Sequence, residues 1–395
     1  LETVQEMTEK KSRRDQILEA TLSLVQTSDR WSLAEIAAKI GVSKTAIYRH
    51  FGNRAEIEDA LNMMLHRDLL ETFKGAGSTP DELRAAFVGY FRSHPGHLFL
   101  LMHNIFSKEQ YDQDLYALLL AESPAVAGFS RMVAGKTAEE QAFVNIALLK
   151  NITSVLIAGF VIEGIEPMQE ELVRILGRGL PGMIMPADGR FDELEALSII
   201  SGEELPEAPK LFTAIAASIK EYGISGTTIE RIAEKMGTAK SSLYFYFRNK
   251  SEMLNELVKK ETETIISLCE NRAEKGTNLA EQLFVVMSVQ ANYLLLKPEI
   301  LAVFNWIRYE TIRQPNGSQH QDFDIDRFLK PYRLEGIPGG GRERKMRAVG
   351  LIKWASILST STIIQGKRLD ADEHTSRKNI RRMFCSMLGG DKGIL

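Results

Sequence analysis

At 395 residues the chain is too long for one ordinary core and is expected to form two or three domains. Its 44% hydrophobic and 26% charged residues suit a soluble globular protein, and no apolar run approaches the roughly 18 residues of a membrane span, so no membrane partner is expected. A polar amino end without a secretory apolar stretch, and two cysteines (Cys269 and Cys385) set in apolar helical patterns, point to the reducing cytoplasm, while a net charge of −3 excludes a chain that is basic throughout.

In chain order, Ile17, Leu18, Leu22 and Val25 recur at helical spacing and predict a first amphipathic helix. Ser32 and Glu35 form a capping box that opens a second helix, which Gly41 ends. Ser43 caps a short third helix, and Asn53 with Glu56 caps a fourth. Longer patterns predict helices near 81–94, 95–106, 112–133, 137–163 and 167–184. The stretch 186–208 holds Pro186, Gly189, Gly202 and Pro206 among many acids and reads as an exposed linker. The same series then begins again. Leu211, Ile215 and Ile219 mark a first helix, Thr227 and Glu230 a capping box, and Gly237 a turn. Ala239 stands in the place of Ser43, so Thr238 is expected to cap instead. Asn249 with Glu252 caps a further helix, and later ones are predicted near 279–296, 298–313, 322–334, 342–366 and 371–388. Strand alternation is almost absent, so the fold class is all-α.

The chain is a duplication. IAAKIGVSKTAIYRHFGNRAEI at 36–57 aligns without a gap on IAEKMGTAKSSLYFYFRNKSEM at 232–253, sharing Ile36/Ile232, Lys39/Lys235, Gly41/Gly237, Lys44/Lys240, Tyr48/Tyr244, Phe51/Phe247 and Asn53/Asn249. Both copies lie in basic islands. Nine bases face four acids between Lys10 and Arg54, and seven face three between Lys210 and Lys250. A nucleic-acid binder needs only such local charge.

Two short helices about a glycine turn, the second capped and basic, describe a helix-turn-helix, whose second helix enters the major groove of duplex DNA. Small polar residues at its start allow close approach to base edges: Ser43, Lys44 and Thr45 in one copy, Lys240, Ser241 and Ser242 in the other. Tyr48 and Tyr244 follow one turn later on the lysine's face and can reach a phosphate or a thymine methyl. Arg54 and Lys250, in the first turn of the next helix, and Ser32 and Thr228, at the start of the second, are placed for phosphate. His50 and Tyr246 match in register and divide evenly between base contact and packing. Arg49 favours DNA, whereas its counterpart Phe245 reads as packing. Ile36, Ala37, Ile40, Ile47 and Phe51 are core. The two copies are therefore expected to prefer different half-sites.

The two 22-residue stretches together resemble the DNA-binding signature of the tetracycline-repressor (TetR) family. They carry its IA–G pair, its lysine–aromatic run and its Asn–Lys/Arg–x–Glu cap. The resemblance is close over about 50 residues per half. It implies two TetR-like units in one chain, each a three-helix head with a larger helical regulatory and dimerisation domain: heads at 10–57 and 209–253, helical domains at 58–185 and 254–395. It further implies a repressor that binds operator DNA, a small apolar effector, and dimerisation through the last two helices of each unit. Two departures stand out. Family members ordinarily carry one unit per chain, and copy one has Gln26-Thr27-Ser28-Asp29 where a glycine usually follows the first helix.

If each half resembles a subunit, helices at 137–184 and 342–388 can pair within the chain, using stripes such as Phe143, Ile146, Leu149, Ile152 and Leu156, and Val349, Ile352, Ala355 and Leu358. A homodimer with four heads is the rival. Candidate effector-lining residues are Phe87, Phe91, Phe99, Met102 and Phe106, then Phe284, Met287, Tyr293, Phe304 and Trp306, although residues at such helical spacing are more often core than pocket. His94, His97 and His103 lack a local acidic or cysteine partner, so no metal and no other cofactor is expected. The runs GRGLPG and GIPGGGRERK match no phosphate-binding template, and no nucleophile elbow occurs, which argues against an enzyme. The alternative to a DNA-binding regulator is a helical scaffold carrying degenerate heads.

Overall fold

The two basic islands fold as two versions of one head in a computed structural model of the chain. The structure describes residues 12–25, 31–77, 79–107, 111–133, 169–205, 207, 209–301, 303–304 and 324–393. Among these residues every regular element is helical. The first head contains α1 (Arg13–Val25), α2 (Leu33–Lys39) and α3 (Lys44–Tyr48), and α4 (Arg54–Gly75) leaves it. Then come α5 (Pro80–Ser93), α6 (Pro95–Ser107), α7 (Tyr111–Glu122), α8 (Pro124–Val133), α9 (Gln169–Arg178) and α10 (Asp188–Leu197). The second head contains α11 (Lys210–Gly226), α12 (Ile229–Met236) and α13 (Lys240–Tyr246), and α14 (Lys250–Ala273) leaves it. The chain continues through α15 (Leu279–Leu296), α16 (Ile325–Leu329), α17 (Gly341–Arg368) and α18 (Glu373–Gly389) to a 3₁₀ turn at Gly390–Gly393.

The helix expected over 112–133 is two helices, because Pro124 starts a new one after Ser123. That expected over 322–334 shortens to α16, since Pro331 follows its end. The helix expected near 137–163, with Phe143, Ile146, Leu149, Ile152 and Leu156, lies outside the described residues.

The chain divides into two compact units that do not meet at the expected linker. One comprises Leu1–Gly77 and Gly89–Ala127; the other comprises Ser78–Val88 and Gly128–Leu395. In the first unit, α1 packs on α2, α4 and α6, and α7 lies against α4 and α6. Its interior holds Ile17, Ile36, Ile47, Phe51, Ile57 and Leu61.

The second unit is built around α15, which is buried on every side from Leu279 to Leu294. A helix that is apolar all round belongs at the centre of a core. Helices α10, α14, α17 and α18 surround it. Its buried polar side chains reach partners on other elements: Gln282 donates to the Pro331 carbonyl at 2.7 Å, Gln290 to the Ser356 carbonyl at 3.1 Å, Asn292 to the Ser198 carbonyl at 2.9 Å, and Glu281 pairs with Arg190 at 2.8 Å. It is the one helix among the described residues long and apolar enough to cross a membrane, and 89% of it is buried inside the protein.

Within the stretch expected as an exposed linker, Asp188–Leu197 is a docked helix. Phe191 and Leu194 are buried, and the Phe191 ring meets Phe284 at 4.8 Å and Phe384 at 5.9 Å. Arg381 stacks over the Phe191 ring and pairs with Asp188 and Asp192 at 2.9 and 3.0 Å. Of the acids in this stretch, Asp188, Asp192 and Glu195 pair with Arg381 and Glu204 with Arg272, both distant in sequence, while Glu193 pairs with Arg190 in its own helix.

The last described helix of the first repeat, α9, also belongs to the second unit, where it packs on α18 and the terminal 3₁₀ turn. Leu180 donates its amide to the Leu388 carbonyl at 2.9 Å. Gly179 sits at φ +80°, and a Cβ there would overlap the Leu388 carbonyl and lie 2.8 Å from the Gly389 Cα. Only glycine lets the two backbones come this close. Arg84, itself buried, pairs with Asp391 of the terminal turn and with Asp81 of its own helix.

Candidate nucleic-acid interface

In each head the second and third helices are separated by a tight turn at a glycine with positive φ, Gly41 at +68° and Gly237 at +66°. The third helix is held to the head by a single buried side chain, Ile47 in one copy and Leu243 in the other. At 3.6 residues per turn, the positions two before and two after that anchor point directly away from the core. They are Thr45 and Arg49 in the first head, Ser241 and Phe245 in the second, and all four are exposed.

Local capping explains why these helices start where they do. Ser32 closes a complete capping box, its amide donating to Glu35 at 2.7 Å and its hydroxyl accepting from the Glu35 amide at 3.2 Å. Ser43 accepts from the Ala46 amide at 3.2 Å. Asn53 and Asn249 accept from the Glu56 and Glu252 amides at 3.0 and 2.9 Å. Two caps in the second copy depart from expectation. The N-cap of α12 is Thr228, accepting from Arg231 at 3.3 Å, while Thr227 is buried and donates back to the Gly223 carbonyl. The N-cap of α13 is Ala239, with no side-chain cap at all, so Thr238 does not take that role.

The residues singled out for DNA fall into three groups. Ser43, Lys44, Thr45, Tyr48, Arg49 and His50 form one exposed surface in the first head, and Lys240, Ser241, Ser242, Tyr244 and Tyr246 form its counterpart. Each lysine lies over the tyrosine one turn on, Lys44 at 5.9 Å from the Tyr48 ring and Lys240 at 5.3 Å from that of Tyr244. Ser32 and Thr228 are exposed at the start of their helices but already serve as caps. Arg54 lies over the Trp31 ring at 4.3 Å, donates to the Trp31 carbonyl at 3.1 Å and pairs with Glu58 at 2.7 Å. It thereby ties α4 to the start of α2. Lys250 is half-buried in the matching place.

Three residues were misjudged or overlooked. Phe245, read as packing, is 83% exposed, and its ring meets only the edge of Tyr246 at 5.3 Å among the aromatic contacts. Its place opposite Leu243 could have been read from the register. Glu230 pairs with Lys240, and that hydrogen bond holds its carboxyl down at about 2 while raising the Lys240 ammonium. The first head has Ala34 at this register. Arg14 stacks on Phe51 at 4.1 Å and donates to the His50 carbonyl at 3.1 Å, fixing the end of α3.

The candidate effector residues are dispersed. Phe91, Phe99 and Met102 are buried in the first unit, where the Phe91 ring meets that of Tyr90, which hydrogen-bonds His97, while Phe87 is half-buried and belongs to the second. Phe284 is core, with rings of Phe191 and Phe384 against it, and Met287 and Phe304 are buried as well. The buried Tyr293 hydroxyl donates to Glu261, which Lys297 also reaches at 3.0 Å. The Phe106 side chain and Trp306 lie outside the described residues.

Comparison with known proteins agrees with this geometry. The family of bacterial regulatory proteins known as the tetR family matches twice, at residues 17–61 and 211–257. Similar curated proteins include the nucleoid occlusion factor SlmA of Photorhabdus laumondii, 38% identical over 68 residues, which is 16% of this chain and 34% of that protein. The SlmA proteins of Yersinia enterocolitica and Cronobacter sakazakii are 36% and 33% identical over 64 and 69 residues, or 15% and 17% of this chain and 32% and 35% of theirs. The match thus spans about a third of the length of these relatives. Two family matches, each coinciding with a basic helical head, show that the chain carries the amino-terminal domain of the tetR family twice, in tandem.

Proposed function

We propose that the chain is a sequence-specific DNA-binding transcription regulator whose two heads read unlike half-sites of one operator. The observation that carries this is the recurrence, on two short helices each anchored by one buried residue, of an outward face of lysine, small hydroxyls and tyrosine. Such a face supplies phosphate contacts that position the helix and short side chains that reach base edges. The unlike residues at the outermost positions, Arg49 against Phe245, support unlike half-sites. Pairing of the two repeats within the chain is supported by the seam of α9 on α18. We assign the chain the role of a repressor released by a small apolar effector. Support for a ligand in the helical part is the buried apolar group Phe91, Phe99 and Met102 on the same two helices, α5 and α6, that carry the hydrogen-bonded Tyr90 and His97.

Selection of duplex DNA from a random pool by the purified chain tests the reading. A two-part site with unlike halves is expected; a perfect palindrome would point to a homodimer using one head. Lys44→Ala should weaken binding to that site and flatten the dependence of log K on log salt by about 0.9 per lost phosphate contact. Lys44 is exposed, so its removal leaves the fold intact. Unchanged affinity and slope would sink the assignment.

A further inference from the structure

We propose that Phe245 is a specificity-determining residue of the second head, reading the C5-methyl group of a thymine in the major groove. The inference rests on the DNA-binding reading of that head. Phe245 lies two residues beyond the buried anchor Leu243, on the side of α13 that points straight away from the core. One turn earlier on the same face is Ser241, small enough to let the helix come close. Phe245 is 83% exposed and its ring meets that of Tyr246, itself 70% exposed, so the two form an exposed aromatic patch of the kind that marks an interaction site. The same surface of the head exposes the cation Arg248 and the hydroxyls of Ser241, Ser242 and Tyr244. An apolar protein surface laid over this face would have to desolvate Arg248 and the hydroxyls, whereas a polyanion pairs with the cation and accepts from the hydroxyls. Within a major groove the thymine methyl is the apolar group on offer to a side chain that can neither donate nor accept a hydrogen bond. The first head has Arg49 at this register, a side chain suited to O6 and N7 of guanine. One exchange of side chain therefore gives the two heads opposite base preferences.

The test uses the full chain and the duplex retained from the random pool, with each thymine replaced in turn by uracil, which lacks only the methyl. Uracil at one position of one half-site should weaken binding about fourfold, the worth of one buried methyl group. Phe245→Ala should bind thymine and uracil duplexes alike, and Phe245→Arg should shift that position toward guanine when the selection is repeated. A wild-type chain that binds its duplex but is indifferent to uracil at every position overturns the assignment. So does a uracil penalty that survives in Phe245→Ala, and an effect of Phe245→Ala confined to self-association would give the ring to a protein contact instead. Retention of no duplex at all would overturn the DNA-binding reading together with this one.

Discussion

Gly179→Ala puts the seam between the two repeats under a defined load. The residue holds φ +80°, where an L side chain costs about 1–2 kcal/mol. The new Cβ would overlap the Leu388 carbonyl, so the backbones must part and the 2.9 Å bond from Leu180 to Leu388 is lost, at a net cost of about 1 kcal/mol. The total is about 2–3 kcal/mol, and more if Arg84 and Asp391 also separate. At roughly 2–4 °C per kcal/mol for a large domain, the melting temperature should fall by roughly 4–12 °C. The assay is thermal unfolding by circular dichroism, with Gly189→Ala as control. Gly189 has nothing within 4 Å of its Cβ position and lies in a helix, where alanine is neutral or stabilising. A Gly179→Ala melting temperature within a degree of wild type would refute the claim that the two backbones are held in contact. If the seam also joins the heads functionally, the variant should lose its advantage on two-part sites while retaining weak binding to single halves.

Three other outcomes are expected. Glu230→Ala, which gives the second head the alanine of the first, should release Lys240 for phosphate; salt-dependence measurements should show a slope steeper by about 0.9 and tighter binding at low salt, and an unchanged slope would mean that Lys240 meets no phosphate. Phe191→Ala should cost the second unit about 3–5 kcal/mol in denaturant unfolding, because the ring fills space between Phe284 and Phe384; a loss under 1 kcal/mol would mean that the 188–197 helix is dispensable. Burial depresses the pKa of His97 below 6.5, so the unfolded chain binds this proton more readily than the folded one. Stability is then intact above pH 6.5 and lost as pH falls below it. His97→Gln, compared by melting temperature at pH 7.5 and 5.5, should show a smaller acid loss than wild type, and an equal loss would remove His97 as its source.

The heads were legible in the sequence because their geometry is set by short-range chemistry. Ser32 with Glu35, Ser43, Asn53 and Asn249 cap helices three residues away, and Gly41 and Gly237 supply turns that no other residue makes cheaply. The register of the repeat also located the basic faces. What escaped depends on contacts far along the chain. The acids of 188–197 look solvated until Arg381, nearly two hundred residues later, is brought over Phe191. Arg54 looked like a phosphate ligand because nothing local announces its stack on Trp31, which comes from a different helix junction. Thr227 and Thr228 offer the same hydroxyl at adjacent positions, and only tertiary packing decides that the first is buried and the second caps. Phe245 departs from its expected packing role for a different reason: its aromatic type suggests core, whereas its spacing from Leu243 places it outermost.

A regulator made of two identical subunits sits on its operator in two equivalent ways and carries no sense of direction. The substitutions that separate these heads, Phe245 for Arg49 and Glu230 for Ala34, remove that equivalence. On the proposed reading the bound chain has a left and a right. One face of the complex always looks toward the gene it serves, and inverting the operator in place would turn that face the other way without altering affinity. Because both heads belong to one polypeptide, occupancy would also rise with the first power of protein concentration, so the site would fill at copy numbers where a pair of separate subunits would come apart.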